Sequence, residues 1–344
     1  MKLIIQIPCL NEEATLPSTI ADLPRSIEGV DEVELLVVDD GSTDRTVEVA
    51  RENGVEHIVR LTNHRGLAAA FQAGLDASLK LGADLIVNTD ADNQYRGADI
   101  PKLLAPILAG EADMVVGNRP ISGIEHFSGT KKRLQRLGSW VVRRLSETEI
   151  ADTTSGFRAY NREAAIQLLV VDDFTYTLES LIQAGKMMVA LDQVEIGTNP
   201  KTRDSRLAAT TGGYVRRNAP AILRIYARYE PLRVFTAAAA VAAVLALGAW
   251  TPFLGDWILN GDSTGHLQSL ILGAVLFIAA IQLFALGVIG DLLAGQRVVT
   301  QRVFEQVRRV ELALGVEPSH YERGKRSGAA ADDEQQAEIE RIGA

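Results

Sequence analysis

The sequence predicts an α/β fold: a Rossmann-like, mostly parallel sheet followed by a C-terminal hairpin of two transmembrane helices. Three observations predict it. Over residues 1–230, short β-branched apolar runs alternate with segments of helical apolar spacing, the pattern of a sheet covered by helices. Two uncharged stretches follow, 234–255 and 267–290, each long enough as a helix to cross a hydrocarbon core of about 30 Å. Mean hydropathy is +0.07 although 23% of the residues are charged, so the apolar residues are concentrated rather than dispersed.

The elements follow in order. Leu3-Ile4-Ile5-Gln6-Ile7 is a first strand; it is too short for a signal peptide and runs into Pro8 and the acidic pair Glu12-Glu13. Further strands are expected at 33–38, 57–61, 83–87, 113–116 and 189–196, where β-branched and apolar residues cluster. Helical spacing occupies 14–23, 44–52, 66–81 and 100–109 between them. This gives a catalytic-size domain over 1–230, the hairpin over 231–293, and a segment over 294–322. In that segment Val298, Val299, Val303, Phe304, Val307, Val310 and Leu314 fall at near-helical spacing with arginines between them. It reads equally as an amphipathic helix on a membrane surface and as a packing helix. The composition of 323–344 is that of a disordered tail.

Charge orients the hairpin and excludes some functions. The connector 256–266 has no Lys or Arg, whereas Arg216, Arg217, Arg224, Arg228 and Arg233 precede the hairpin and Arg297, Arg302, Arg308 and Arg309 follow it. Positive residues stay in the cytoplasm, which puts both ends of the hairpin inside. With 44 acidic against 35 basic residues and a net charge of −9, no bulk positive field exists to hold nucleic acid. The single cysteine, Cys9, can form no intrachain disulfide, and the five histidines show no zinc spacing.

In parallel sheets ligands bind beyond the carboxyl ends of the strands. Here those ends are acidic: Pro8-Cys9-Leu10-Asn11-Glu12-Glu13 after the first strand, Asp39-Asp40-Gly41-Ser42-Thr43-Asp44 after the second, and Asp90-Ala91-Asp92-Asn93-Gln94 after the fourth. Like charges on one edge require a cation or ligand donors to offset their repulsion. Asp44 also fits a helix start and Gly41-Ser42 a turn. Asp90 and Asp92, two apart at a strand end, suit a hard divalent cation that bridges phosphates. Neither a P-loop nor a G-x-G-x-x-G fingerprint is present, which argues against a P-loop NTPase or a dinucleotide dehydrogenase.

These three segments resemble the signatures of family 2 glycosyltransferases of the GT-A fold. Gly117-Asn118-Arg119, Asp152-Thr153-Thr154-Ser155-Gly156-Phe157-Arg158 and Arg203-Asp204-Ser205-Arg206 extend the resemblance to the branch that makes polyprenyl-phosphate sugars, which includes dolichyl-phosphate mannose synthases and polyprenyl-phosphate glycosyltransferases. The likeness spans about residues 1–207, and the hairpin is similar to that branch as well. No Q-x-x-R-W motif of processive synthases is found, so single transfer is expected.

The resemblance implies roles. Pro8, Glu12 and Asp39 would line the base and ribose pocket of a UDP- or GDP-hexose, with Asp90, Ala91 and Arg65 also on the nucleotide sugar. Asp90, Asp92 and Gln94 would hold Mg²⁺ or Mn²⁺ against the diphosphate. Arg119, Lys132, Arg136, Arg203 and Arg206 would contact the acceptor phosphate; the family usually has a serine where Arg136 stands. Asp90, Asp92, Arg119 and Arg203 would carry catalysis, while Glu179 matches a recurring family acid of unassigned role. A phosphomonoester acceptor is already largely anionic at neutral pH, so positioning cations matter more than a general base. The expected activity is inverting transfer of one hexose to a dolichyl or undecaprenyl phosphate at the cytoplasmic membrane face, with homo-oligomerisation open. Transfer to another lipid such as diacylglycerol, or a non-catalytic membrane scaffold, are the alternatives.

Overall fold

The computed structural model describes residues 1–119, 150–170, 176–200, 224, 227–261 and 266–324. The chain divides into two compact units, Met1–Ala209 with Phe304–Ala344, and Thr210–Val303.

The first unit is built on an eight-stranded sheet. Its strands are β1 (Lys2–Cys9), β2 (Glu32–Asp39), β3 (His57–Arg60), β4 (Leu85–Asn88), β5 (Met114–Asn118), β6 (Arg158–Asn161), β7 (Leu191–Glu195) and β8 (Tyr321–Arg323), in spatial order β7-β5-β6-β4-β1-β2-β3-β8. β4, β1, β2 and β3 are mutually parallel neighbours, so their carboxyl ends share one edge. β6 runs antiparallel to both β4 and β5, and β8 antiparallel to β3. The six strands expected from the sequence are present, with no end shifted by more than two residues. β6 and β8 were not anticipated: Arg-Ala-Tyr-Asn and Tyr-Glu-Arg are short and show no apolar alternation, and tertiary pairing alone makes them strands.

Helices α1 (Leu16–Asp22), α2 (Thr46–Glu52), α3 (Leu67–Lys80), α4 (Ile100–Leu108), α5 (Arg162–Gln167) and α6 (Tyr176–Lys186) complete the unit. Alternation along β1 divides the core in two. Leu3, Ile5 and Ile7 join Leu16, Ile20, Val47 and Leu103 on one face, whereas Ile4 joins Leu36, Phe71, Leu75 and Leu181 on the other. Each fully buried Leu, Ile or Phe contributes roughly 1.5–3 kcal/mol. Gln6 is a polar member of the second face: its Nε2 donates to Asn88 Oδ1 at 2.9 Å, tying β1 to β4. A Cβ at position 74 would lie 2.6 Å from Gln6 Oε1, which is why α3 carries Gly74 there.

The second unit consists of α7 (Pro231–Asn260) and most of α8 (Leu267–Ala313). Both helices are long and apolar enough to cross a membrane, and most of their apolar side chains, among them Val244, Leu247, Ile271 and Phe284, are exposed. A core helix of a water-soluble protein would bury those side chains. Small residues admit close packing within the pair: a Cβ on Gly273 would strike the Trp250 indole, and one on Gly287 would meet Phe235.

The segment expected as a helix over 294–322 is helical only to Ala313. Gly315, at φ +65°, ends it in the left-handed conformation that glycine adopts without steric cost, and β8 follows. The last turns of α8 pack on protein. Arg308 is buried, and its Nη1 donates to the carbonyls of Ala165 (2.9 Å), Ile166 (3.2 Å) and Leu168 (3.1 Å) at the end of α5. Tyr321 and Glu322, at the end of the expected helical segment, and Arg323, the first residue of the expected tail, pair with β3; residues from 325 onward lie outside the described set.

Candidate active site

Parallel pairing of β4, β1 and β2 in that order brings the three acidic segments side by side on one edge. The β1 loop turns at Asn11, whose φ of +54° reverses the chain. Asn11 Oδ1 accepts from Thr43 N at 2.8 Å, and Glu12 N donates to Thr46 Oγ1 at 2.8 Å, so the first two loops are stitched together. Pro8 and Glu12 are buried in this wall, and Glu12 Oε2 accepts from Thr15 Oγ1 at 2.7 Å.

The adjacent aspartates of the second loop do different jobs. Asp39 is wholly buried; its Oδ1 accepts from Ser42 N at 3.1 Å, while Oδ2 has no hydrogen-bond partner among the described residues and has Arg60 Nε at 3.7 Å. Asp40 is saturated. Its Oδ1 accepts from Arg65 N (2.7 Å), and its Oδ2 accepts from Gly66 N (2.9 Å) and lies 2.7 Å from His64 Nδ1, fixing the chain at the entrance to α3. That loop closes over Gly41 (φ +76°), where a Cβ would come within 2.7 Å of His64 N. Arg65 therefore enters the site through its backbone; its side chain is exposed, against Asn63. Asp44 accepts from Thr46 N at 3.0 Å and Glu13 N at 3.2 Å, consistent with a helix-entry role.

The third acidic segment forms a corner with Arg119. Asp92 Oδ1 and Oδ2 accept from Gln94 N (3.1 Å) and Gln94 Nε2 (2.9 Å), which holds the two side chains together and leaves the Gln94 carbonyl oxygen as a further oxygen donor. Burial and the neighbouring Asp92 carboxylate push Asp90 up to about 6, against the pull of Arg119 and Arg158. Asp90 lies against the backbone of Gly156, where a Cβ would be 3.1 Å from its Oδ1. Tyr95 stacks on Phe157 with ring centroids 5.0 Å apart and accepts from Gly156 N at 3.0 Å. Ala91 contributes its carbonyl, which accepts from Thr19 Oγ1 at 2.9 Å.

Arg119 follows β5 and reaches the same corner, but it is already engaged. Its Nε donates to Asp152 Oδ2 at 2.7 Å, and its Nη2 donates to Asp152 Oδ1 and Thr154 Oγ1, both at 3.1 Å. The guanidinium carbon lies 5.8 Å from the Tyr95 ring centroid. Arg158, which also acts on Asp90, is a wholly buried cation bonded to the carbonyls of Ser155 (2.8 Å) and Thr153 (3.1 Å) and to Ser180 Oγ (2.7 Å). The D-x-x-S-G-F-R segment is thus a framework under Asp90 and Arg119.

The structure therefore gathers Asp90, Ala91, Asp92, Gln94 and Arg119 at one corner, with Pro8, Glu12 and Asp39 along the adjoining wall. Lys132, Arg136, Arg203 and Arg206 lie outside the described residues. Glu179 is buried in α6. Sequence reasoning passed over the separate capping role of Asp40, the Asp152–Arg119 fork and the Tyr95–Gly156 contact; the intact D-x-x-S-G-F-R motif was the one available signal for the last two.

The donors of the corner suit a hard cation. Two carboxylates and an amide oxygen are the ligand types that Mg²⁺ and Mn²⁺ take. No group of three His, Cys, Asp or Glu side chains placed to hold a metal ion is present among the described residues.

Several known proteins are similar to this chain in sequence and fold. The family model described as glycosyl transferase family 2 matches residues 4–169. An undecaprenyl-phosphate mannosyltransferase of Micrococcus luteus is 29% identical over 243 residues, 68% of this chain and 98% of that protein. A dolichyl-phosphate hexose transferase of Haloferax volcanii is 32% identical over 207 residues, 59% of this chain and 85% of that protein. Among solved structures, glucosyl-3-phosphoglycerate synthase of Mycobacterium tuberculosis, in complex with Mn²⁺, UDP and glucosyl-3-phosphoglycerate, superposes with a TM-score of 0.51 and 26% identity, covering 64% of this chain and 78% of that one.

Proposed function

Because the chain belongs to glycosyl transferase family 2, we propose that it moves one hexose, with inversion, from a nucleotide sugar to a polyprenyl phosphate resident in the membrane. The observation that supports this best is the single sheet edge on which an Asp39 oxygen without a hydrogen-bond partner among the described residues, the Asp90-Asp92-Gln94 corner and Arg119 follow one another. The names of the relatives, which act on undecaprenyl and dolichyl phosphates, support the acceptor class.

In this reading Asp39 Oδ2 accepts an N–H of the nucleobase, a charge-assisted bond, and Glu12 and Pro8 wall the ribose. Asp90, Asp92 and Gln94 would hold Mg²⁺ or Mn²⁺, which, when bound, neutralises the departing diphosphate. The presence of Mn²⁺ and UDP in the complex of the solved neighbour supports that assignment. Arg119 directs its remaining donors at the incoming phosphate, and Arg203, Lys132, Arg136 and Arg206 are proposed as its further partners. The acceptor oxygen attacks the anomeric carbon from the side opposite the leaving diphosphate, which inverts the configuration; already anionic, it calls for orientation more than deprotonation.

In this reading the hairpin anchors the chain in the membrane that holds its acceptor. β8, which follows the second apolar helix, pairs with β3 of the N-terminal unit, so chain segments before and after the hairpin lie on one side of the membrane. This supports two crossings independently of the arginine pattern, which puts the shared side in the cytoplasm. The test is a donor panel of UDP-glucose, GDP-mannose and UDP-N-acetylglucosamine against a short polyprenyl phosphate, with and without EDTA. One donor is expected to label the lipid, with label released by mild acid and abolished by EDTA. Turnover that ignores EDTA, or acid-stable label on diacylglycerol, contradicts the reading.

A further inference from the structure

Arg119 is the acceptor-side cation of the reading above, yet most of its hydrogen-bonding capacity faces inward. A guanidinium has five N–H donors in a rigid plane. Three are committed: Nε–H to Asp152 Oδ2 (2.7 Å), and the two on Nη2 to Asp152 Oδ1 and Thr154 Oγ1 (3.1 Å each). Engaged side-on along its Nε–Nη2 edge, the fork must point Nη1 away from Asp152, and Nη1 has no partner among the described residues. The Arg119 side chain is 29% exposed, against 3% for Asp152, so the outer end is the accessible one.

Asp152 is itself held. Its Oδ1 also accepts from Thr154 N (3.2 Å) and Thr154 Oγ1 (2.9 Å), so Thr154 grips both members of the pair through one hydroxyl. The guanidinium carbon lies over the Tyr95 ring, 5.8 Å from its centroid. Tyr95 is in turn fixed by Phe157 and Gly156 N, which belong to the same D-x-x-S-G-F-R framework. A buried carboxylate opposite a guanidinium also cancels most of its net charge, so what Arg119 retains is direction rather than monopole attraction.

We infer that Asp152 is a positioning residue that clamps Arg119 side-on and thereby aims Nη1 at the anionic oxygen entering beside Asp90 and Asp92. The inference rests on the transferase reading of the site. It assigns Asp152 no contact with substrate; its effect passes entirely through Arg119, with Thr154 as the second support.

Kinetics on the full-length protein in detergent or nanodiscs separate this from a structural role. Asp152→Asn keeps the side-chain shape and an acceptor for Thr154 while removing the charge that fixes the fork. It is expected to lower kcat by about 10–100-fold, the scale of a misplaced catalytic group, with KM for a short polyprenyl phosphate and nucleotide affinity each within about twofold. Arg119→Ala should fall at least as far, and adding Asp152→Asn to it should cost nothing more, because a residue acting through another is silent once that other is gone. Thr154 is exposed, and Thr154→Val should reproduce the kcat loss in weaker form, about 3–10-fold, even if Asp152→Asn does not fold. Wild-type kcat in both Asp152→Asn and Thr154→Val overturns the inference, as do additive losses in the double variant or a kcat loss matched by lost nucleotide binding. A wild-type enzyme that transfers no sugar to any polyprenyl phosphate defeats the transferase reading itself, a result distinct from all of these.

Discussion

Asp39 and Asp40 are neighbours in sequence with opposite fates. Asp39 keeps a buried oxygen without a hydrogen-bond partner among the described residues, facing Arg60, whereas Asp40 accepts from two backbone amides and contacts a histidine ring nitrogen. Asp40→Ala should therefore act on stability. Deleting the acceptor leaves part-buried N–H groups at the entrance to α3 unpaired, at a cost of about 2–4 kcal/mol read by urea unfolding. A change below about 0.5 kcal/mol would show that the loop holds its shape without the carboxylate. The sequence displayed both acids in one motif but could not divide their work, because Asp40's partners lie some 25 residues downstream. The same holds for Arg119: its place after β5 was legible, its engagement by Asp152 was not, since that pairing spans 33 residues.

β8 shows where pattern reading reaches its limit among the elements. Long, β-branched strands such as β1 and β2 announce themselves by composition, and apolar α7 and α8 by length. Tyr-Glu-Arg carries no periodicity, and it is a strand because the β3 edge supplies its partners. Beneath it runs a polar chain: Tyr321 Oη lies 2.8 Å from His57 Nδ1, and His57 Nε2 lies 2.6 Å from Glu34 Oε2, which also meets Lys2 Nζ at 2.6 Å. With Nε2–H donating to Glu34, His57 Nδ1 accepts the Tyr321 hydroxyl proton. Burial pushes the Glu34 carboxyl up, but His57 and Lys2 outweigh it and hold it at about 2. A carboxyl with a lower pKa folded than unfolded stabilises the fold above the ordinary glutamate range, and the gain disappears as pH falls toward the folded value. Stability of the wild type should thus decline between about pH 5 and pH 2, while Glu34→Gln should start lower at pH 7, by about 3 kcal/mol, and decline less. Parallel curves for the two proteins in pH-dependent chemical denaturation would refute the assignment.

At the scale of the whole molecule, the alternation of strands and helices, the acidic strand ends and the apolar hairpin were all readable, because each is a local pattern repeated over many residues. The antiparallel insertions and the return of residues 304–324 to the first unit were not, because each depends on a surface formed only after folding. That return gives the proposed topology a physical basis: chain on either side of the hairpin shares one sheet. A cysteine introduced at Gly261, between the apolar helices, should then react with a membrane-impermeant maleimide from the side opposite to one introduced at the exposed Met188, the native Cys9 being buried. Labelling of both from the same side would contradict two crossings.

The corner at the end of β4 remains the centre of the account, and calorimetric titration of nucleoside diphosphates into the full-length protein tests it most directly. UDP or GDP should bind with Mn²⁺ or Mg²⁺ present, weaken at least about tenfold in EDTA, and lose that cation dependence in Asp92→Ala. Binding of equal strength with and without the cation, or an Asp92→Ala protein that responds to Mn²⁺ as the wild type does, would contradict the account.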